Sequence, residues 1–73
     1  LNRLVDLPIL ESYTLQKVDL PGSFRTRLLE LGFVSGTPVM VIQKKPILGQ
    51  LIVRIRNATF AIELSVAEKI LVI

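Results

Sequence analysis

Between Leu31 and Ile62 the chain carries Lys44, Lys45, Arg54 and Arg56 and not one acid. Such a segment suits attraction to an anionic partner, nucleic acid or lipid surface; the competing reading is four solvated side chains that aid solubility. Other chemistry is scarce. There is no histidine, so a general base tuned near neutral pH would have to be a perturbed Glu, Asp or Lys. There is no cysteine, which excludes disulfides and thiolate metal sites. Zinc, copper and non-haem iron thereby lose their usual ligands. The six carboxylates (Asp6, Glu11, Asp19, Glu30, Glu63 and Glu68) are dispersed, with no pair spaced like a hard-metal site. Gly22, Gly32, Gly36 and Gly49 form no G-x-x-x-x-G-K-S/T loop. This inventory predicts a non-enzymatic chain with no cofactor and no stable metal.

The elements that position these residues must fit in one domain, residues 1–73. A single core of this size supplies roughly 3–5 kcal/mol. The sequence is 51% hydrophobic, yet no apolar run reaches the roughly 18 residues of a membrane span. The absence of cysteine and of a signal-peptide pattern points to the cytosol.

The clearest punctuation lies in RTRLLELGFVSGTPV, Arg25 to Val39. Ser23 suits a helix N-cap, since its hydroxyl can accept from an unpaired N–H. Phe24, Leu28 and Leu31 share one helical face. Gly32 fits the left-handed stop, with Phe33 folding back as its hydrophobic contact. Gly36 permits a turn, and a strand begins at TPVMVI. Leu29 falls off the Phe24/Leu28/Leu31 stripe. Burial is the common fate of leucine, which predicts a helix covered on two sides; the alternative is an exposed apolar anchor.

The first twelve residues read as an extended lead-in. YTLQKVDL reads as a strand whose imperfect alternation hides a bulge, broken by Pro21-Gly22. QKKPILGQ reads as a loop. LIVRIR and TFAIEL form a hairpin if Asn57-Ala58 is its turn, pairing Ile55 with Phe60, Val53 with Ile62 and Leu51 with Leu64. Arg54 then lies diagonal to Glu63 on the outer face. SVAE reads as a capping box with Ser65 as cap and Glu68 reaching back, before a last strand, KILVI. A small antiparallel sheet in this order protects its edges by curling. The predicted fold is mainly β with one short helix inserted after the first strand, an SH3-like small barrel.

RLLELGFVSGTPVMVI resembles the signature of the FeoA family, small cytosolic proteins of bacterial ferrous iron transport. The matching positions are Arg27, Leu28, Leu31, Gly32, Gly36, Thr37 and Val39. KKPILGQLIVRI resembles the family's proline-to-glycine hairpin, and TFAIELSVAEKILVI its closing strands, with Ala67 and Ile70 in the matching places. LVDLPILESYTLQKV is a looser match to the leading segment. Gly49-Gln50-Leu51 departs from the family's usual G-D-P, and Asn57-Ala58 stands where a glycine is frequent. The resemblance implies an SH3-like barrel, a family association with transition metal ions, and an accessory role toward FeoB. FeoB is a membrane transporter with a cytosolic G-protein domain. The same domain also occurs fused to metal-responsive DNA-binding repressors; the 73 residues hold no helix-turn-helix pattern, which fits the free-standing kind.

Three functions follow as expectations. The first is a protein-interaction module that docks on the cytosolic part of a FeoB-like transporter and regulates it. Its candidate contacts are Lys44, Lys45, Ile47 and Leu48 in the loop, with Arg25 and Leu29 as a second cluster; charge-rimmed apolar residues suit an anchor. In the competing reading Ile47 and Leu48 plug the barrel end. The second is a nucleic-acid-binding barrel, disfavoured because single-strand binders stack bases on exposed aromatics. Here only Tyr13, Phe24, Phe33 and Phe60 are available, and three have core or cap assignments. The third is direct iron handling or catalysis, for which the ligands are missing. In a GTPase-activating role Arg25, Arg27, Arg54 and Arg56 would each be a possible arginine finger. An uncovered barrel edge would add self-association.

Overall fold

The computed structural model describes residues 2–73. Strands β1 (Asn2–Arg3), β2 (Ser12–Val18), β3 (Pro38–Lys45), β4 (Gln50–Ile55), β5 (Ala58–Glu63) and β6 (Ile70–Val72) form one antiparallel sheet in the order β1-β6-β2-β3-β4-β5. Helix α1 (Gly22–Glu30) joins β2 to β3, and the single turn α2 (Leu64–Ala67) joins β5 to β6. The fold is thus mainly β with one real helix, as the pattern of short alternating runs predicts.

Strand β2 holds the two halves together. Its first part, Ser12–Thr14, pairs with β3, and its second part, from Leu15, pairs with β6. The register slips between Leu15 and Lys17, so the bulge expected from the broken alternation is present. It turns the strand from one half of the sheet to the other.

The interior is apolar throughout. Leu15, Val18, Val39, Val41, Leu51, Val53, Ile55, Ile62, Ile70 and Val72 point inward, and among the described residues no polar side chain is buried. The lead-in is more structured than its sequence suggests. It forms β1 and a single 3-10 turn, Leu4–Asp6, and sends Leu4 and Leu7 into the core. Arg3 fixes that turn: its Nε donates to Asp6 Oδ2 at 2.8 Å and its Nη2 to Asp6 Oδ1 at 3.3 Å.

The end of α1 follows the glycine-stop pattern closely. The Phe33 N–H donates to the Leu28 carbonyl at 2.9 Å and the Gly32 N–H to the Leu29 carbonyl at 3.0 Å. This pair of bonds is the Schellman arrangement. Gly32 adopts φ +109°, and Phe33 becomes fully buried. Gly32 also has Arg56 over it, since a Cβ there would lie 3.5 Å from Arg56 Cδ.

Several expectations are corrected. Ser23 lies inside α1, which starts at Gly22 behind Pro21 with no side-chain cap bond. The chain already turns at Gly22, φ +58°, one residue earlier than a serine cap requires. Of the Phe24/Leu28/Leu31 stripe only Leu28 is buried; Phe24 is 64% exposed and Leu31 is 40% exposed, because α1 joins the core only through Leu28. Gln43, Lys44 and Lys45 belong to β3, so the loop shrinks to Pro46–Gly49. The β4–β5 turn is Arg56-Asn57, pairing Ile55 with Ala58, Val53 with Phe60 and Leu51 with Ile62. This shift of two residues leaves the inward face unchanged. It places Arg54 opposite Thr59 and Glu63 opposite Gln50, so Glu63 does not offset Arg54. Ser65 lies inside α2, which follows Glu63 without a side-chain cap. Glu68 instead approaches Arg3 at 3.9 Å.

Two outcomes test this account. Gly32→Ala should lower unfolding free energy by about 1–2 kcal/mol through backbone strain, measured by denaturant titration; unchanged stability would contradict the glycine stop. The Arg3 hydrogen bond holds the Asp6 carboxyl below its ordinary pKa. A depressed carboxylate contributes stability above its unfolded pKa of about 3.9 and loses it as pH falls through the folded value. Wild type should therefore lose slightly more stability than Asp6→Asn as pH falls from about 5 to about 2; the effect is small because the pair is exposed. Identical pH profiles would contradict it.

Candidate functional site

The β3–β4 hairpin tip carries four of the sequence-predicted residues. Pro46, with its φ already restricted, starts a single 3-10 turn, Pro46–Leu48. Gly49 closes it at φ +67°, donating its N–H to the Pro46 carbonyl at 3.1 Å. The Gly49 carbonyl accepts from the Leu64 N–H at 2.9 Å, which ties the tip to the start of α2. The turn itself rises clear of the sheet. Ile47 is 99% exposed and Leu48 is 66% exposed. They do not plug the barrel; Leu4, Leu7 and Ala67 are fully buried and fill the interior in their place. Lys44 is exposed and Lys45 half-buried on the strand that leads into the turn. Lys44 is also near enough to Asp6 to help lower its pKa.

Arg25 and Leu29 lie elsewhere, on α1. They line a shallow groove of about 210 Å³ with Gln16, Lys17, Val34 and Ser35. Leu29 is 38% exposed, so the helix is not covered on two sides. On its other flank Phe24 stands beside Ser23 and Arg27. Phe24 was not legible as a surface residue, because a helical stripe does not reveal which of its turns reach the core.

The structure brings Lys44, Lys45, Ile47 and Leu48 together and leaves Arg25 and Leu29 as a separate cluster. A third feature was missed by the sequence reading. Arg54 and Arg56 flank a groove of about 260 Å³ with Ser12, Met40 and Asn57. Arg56 adopts φ +56° in the hairpin turn, and its stem crosses Gly32 at the C-terminal end of α1. A cation there complements the helix dipole. Only the observed register and the packing of α1 create this contact.

Among the described residues, both ion pairs involve Arg3, so Arg25, Lys44, Lys45, Arg54 and Arg56 form no salt bridge. Also among these residues, no group of three or more Asp, Glu, His or Cys converges as a metal site. Among the described residues no helix is long and apolar enough to cross a membrane. Of the four aromatics, Phe33 is buried, Tyr13 and Phe60 are half-buried, and Phe24 is exposed on α1 away from the basic strands. No row of stacking platforms accompanies the basic strands. The arrangement offers an apolar tip rimmed by cations.

The FeoA domain family matches residues 2–73. The chain belongs to the FeoA domain family. FeoA of Stenotrophomonas maltophilia is 34% identical, with a TM-score of 0.84 over 99% of this chain and 89% of that one. That protein was solved with zinc and is described as a prokaryotic SH3 domain protein and a candidate ferrous iron transport activating factor. Iron(II) transport protein A of Clostridium thermocellum shares the fold, with 21% identity and a TM-score of 0.89 over 97% of this chain and 44% of that one. A manganese-dependent transcriptional repressor also contains the fold, at 18% identity and a TM-score of 0.88, over 99% of this chain and 40% of its own. The FeoA-type chain therefore spans less than half of these last two proteins. No curated protein matches the sequence.

Proposed function

We propose that this FeoA-domain chain is a non-enzymatic docking module of bacterial ferrous iron transport. It acts in the cytoplasm and binds the cytosolic G-protein part of a FeoB-like transporter. The observation that carries this reading is the β3–β4 tip, where Ile47 is 99% exposed and Leu48 is 66% exposed beside Lys44 and Lys45. Family membership and the activating-factor description of the S. maltophilia relative supply the context.

The physical logic is that of a small anchor. An isolated exposed leucine needs no explanation, but two adjacent large aliphatics on a rigid turn cost hydration and gain nothing in the monomer. Burying each in a partner would contribute about 1.5–3 kcal/mol. Lys44 and Lys45 would favour an acidic rim on that partner and speed encounter at low salt. A module bound beside a G domain has a route to regulate its GTP hydrolysis without catalytic residues of its own. Arg25 and Leu29 on α1 form the second contact of the proposal.

The test is binding to the cytosolic part of a FeoB-type transporter, at low and moderate salt, beside a random single-stranded oligonucleotide. Ile47→Glu and Leu48→Glu should weaken protein binding at least about tenfold while changing stability by less than about 0.5 kcal/mol. Leu29→Glu should have the smaller effect. Undiminished binding by both tip variants would remove the tip from the interface. No protein binding, with steeply salt-dependent oligonucleotide binding, would overturn the docking reading.

A further inference from the structure

Strand β5 ends the sheet on one side, and its edge carries little of the usual protection. The Arg56-Asn57 turn makes Ile55 and Ala58 the first pair that exchanges backbone bonds. Antiparallel pairs then alternate, so Val53/Phe60 and Leu51/Ile62 also exchange bonds. Thr59, Ala61 and Glu63 therefore aim their N–H and C=O groups away from β4. Among the described residues, no turn, loop or cap bond reaches those groups, and no side chain bonds them. All three residues are exposed. Natural edges are blunted by proline, charged side chains (lysine above all), a bulge, shortness or a covering helix or loop. β5 is six residues long, pairs with β4 without a bulge, contains neither proline nor lysine, and carries its one charge, Glu63, as its last residue.

We propose that β5 is a self-pairing edge: two copies of this chain join β5 to β5, antiparallel, about a two-fold axis at Ala61. Rotation about that axis sets every contact. Ala61 lies opposite its own copy, and Thr59 lies opposite Glu63 of the second copy. The three outward residues of each chain are thereby all paired. On the outer face these side chains are small or polar, and a threonine faces each carboxylate. The two Glu63 carboxylates are offset by four residues along the seam, about 13 Å, beyond the screening length of about 8–10 Å. On the inner face Phe60 meets Ile62 of the second copy. Phe60 is only half-buried in the single chain, so the seam covers its remaining exposed part. Backbone pairing and both faces thus favour the same register, which is why a second copy, rather than an unrelated segment, is the occupant.

The surface is distinct from the β3–β4 tip, so this inference stands or falls independently of the proposed function. Sedimentation equilibrium of the chain up to millimolar concentration should show a mass rising from 8.2 kDa toward twice that value. Ala61→Pro removes an N–H that β4 does not use, and edge strands tolerate proline. It should weaken association by about thirtyfold or more with the fold retained by circular dichroism. Ala61→Glu and Ala61→Lys offer a second route that leaves the backbone intact. Each alone should be monomeric, because like charges meet across the axis, and an equimolar mixture should dimerise again. A wild type that stays at one chain mass overturns the proposal. So does association that the Ala61 variants leave unchanged, or a mixture of the two charged variants that fails to associate.

Discussion

Phe33 reaches the centre of the barrel because Gly32 lets the chain reverse, and the outer surface is arranged around that insertion. The reversal ends α1 with two short backbone bonds and drops an aromatic ring among Leu28 and the strands. Phe60 of β5 then packs on Phe33, with ring centres 6.0 Å apart and planes tilted by 51°, a favourable edge-biased geometry. Arg56, in the turn that leads into the same strand, lies over Gly32. One reversal thereby fixes the helix, the β4–β5 hairpin and the cation at the helix end. It also explains the surface. A helix held mainly by its last turn and the residue after it leaves Phe24, Leu29 and Leu31 partly in solvent.

Much of the fold was legible because its strongest signals are local. A glycine at a helix stop, a proline and glycine around a turn, and alternation in β4 and β5 each act within a few residues. The bulge in β2 announced itself as a break in alternation. The misreadings share a different cause. Ser23 and Ser65 have the chemistry of caps, yet each sits one residue inside its helix, because the backbone turns earlier at Gly22 and at Glu63. The hairpin register could not be read from pattern, since a two-residue shift keeps every side chain on its own face. Turn chemistry did not settle it either: Arg56 occupies a positive-φ position that ordinarily favours glycine.

The candidate site was legible in kind and not in extent. KKPIL reads as an apolar turn beside cations, and the structure makes that turn more exposed than a plug or a cap would be. What composition could not show was that α1 joins the core only through Leu28. Phe24 follows the same periodicity as Leu28, and only tertiary packing separates the buried residue from the exposed one. The Arg54 and Arg56 groove depends on long-range register and leaves no local trace. The same fold occurs in a manganese-dependent transcriptional repressor at 18% identity. Function has to be argued from the surface each sequence builds on it.

The most direct test of the docking account is residue-resolved. Amide chemical shifts of the isotope-labelled chain would be followed while the cytosolic part of a FeoB-type transporter is added. The account predicts that the largest changes fall on Lys44 to Gly49, with a smaller set on Arg25 to Leu29. Perturbations confined to α1 or to β5, with the tip unmoved, would contradict it.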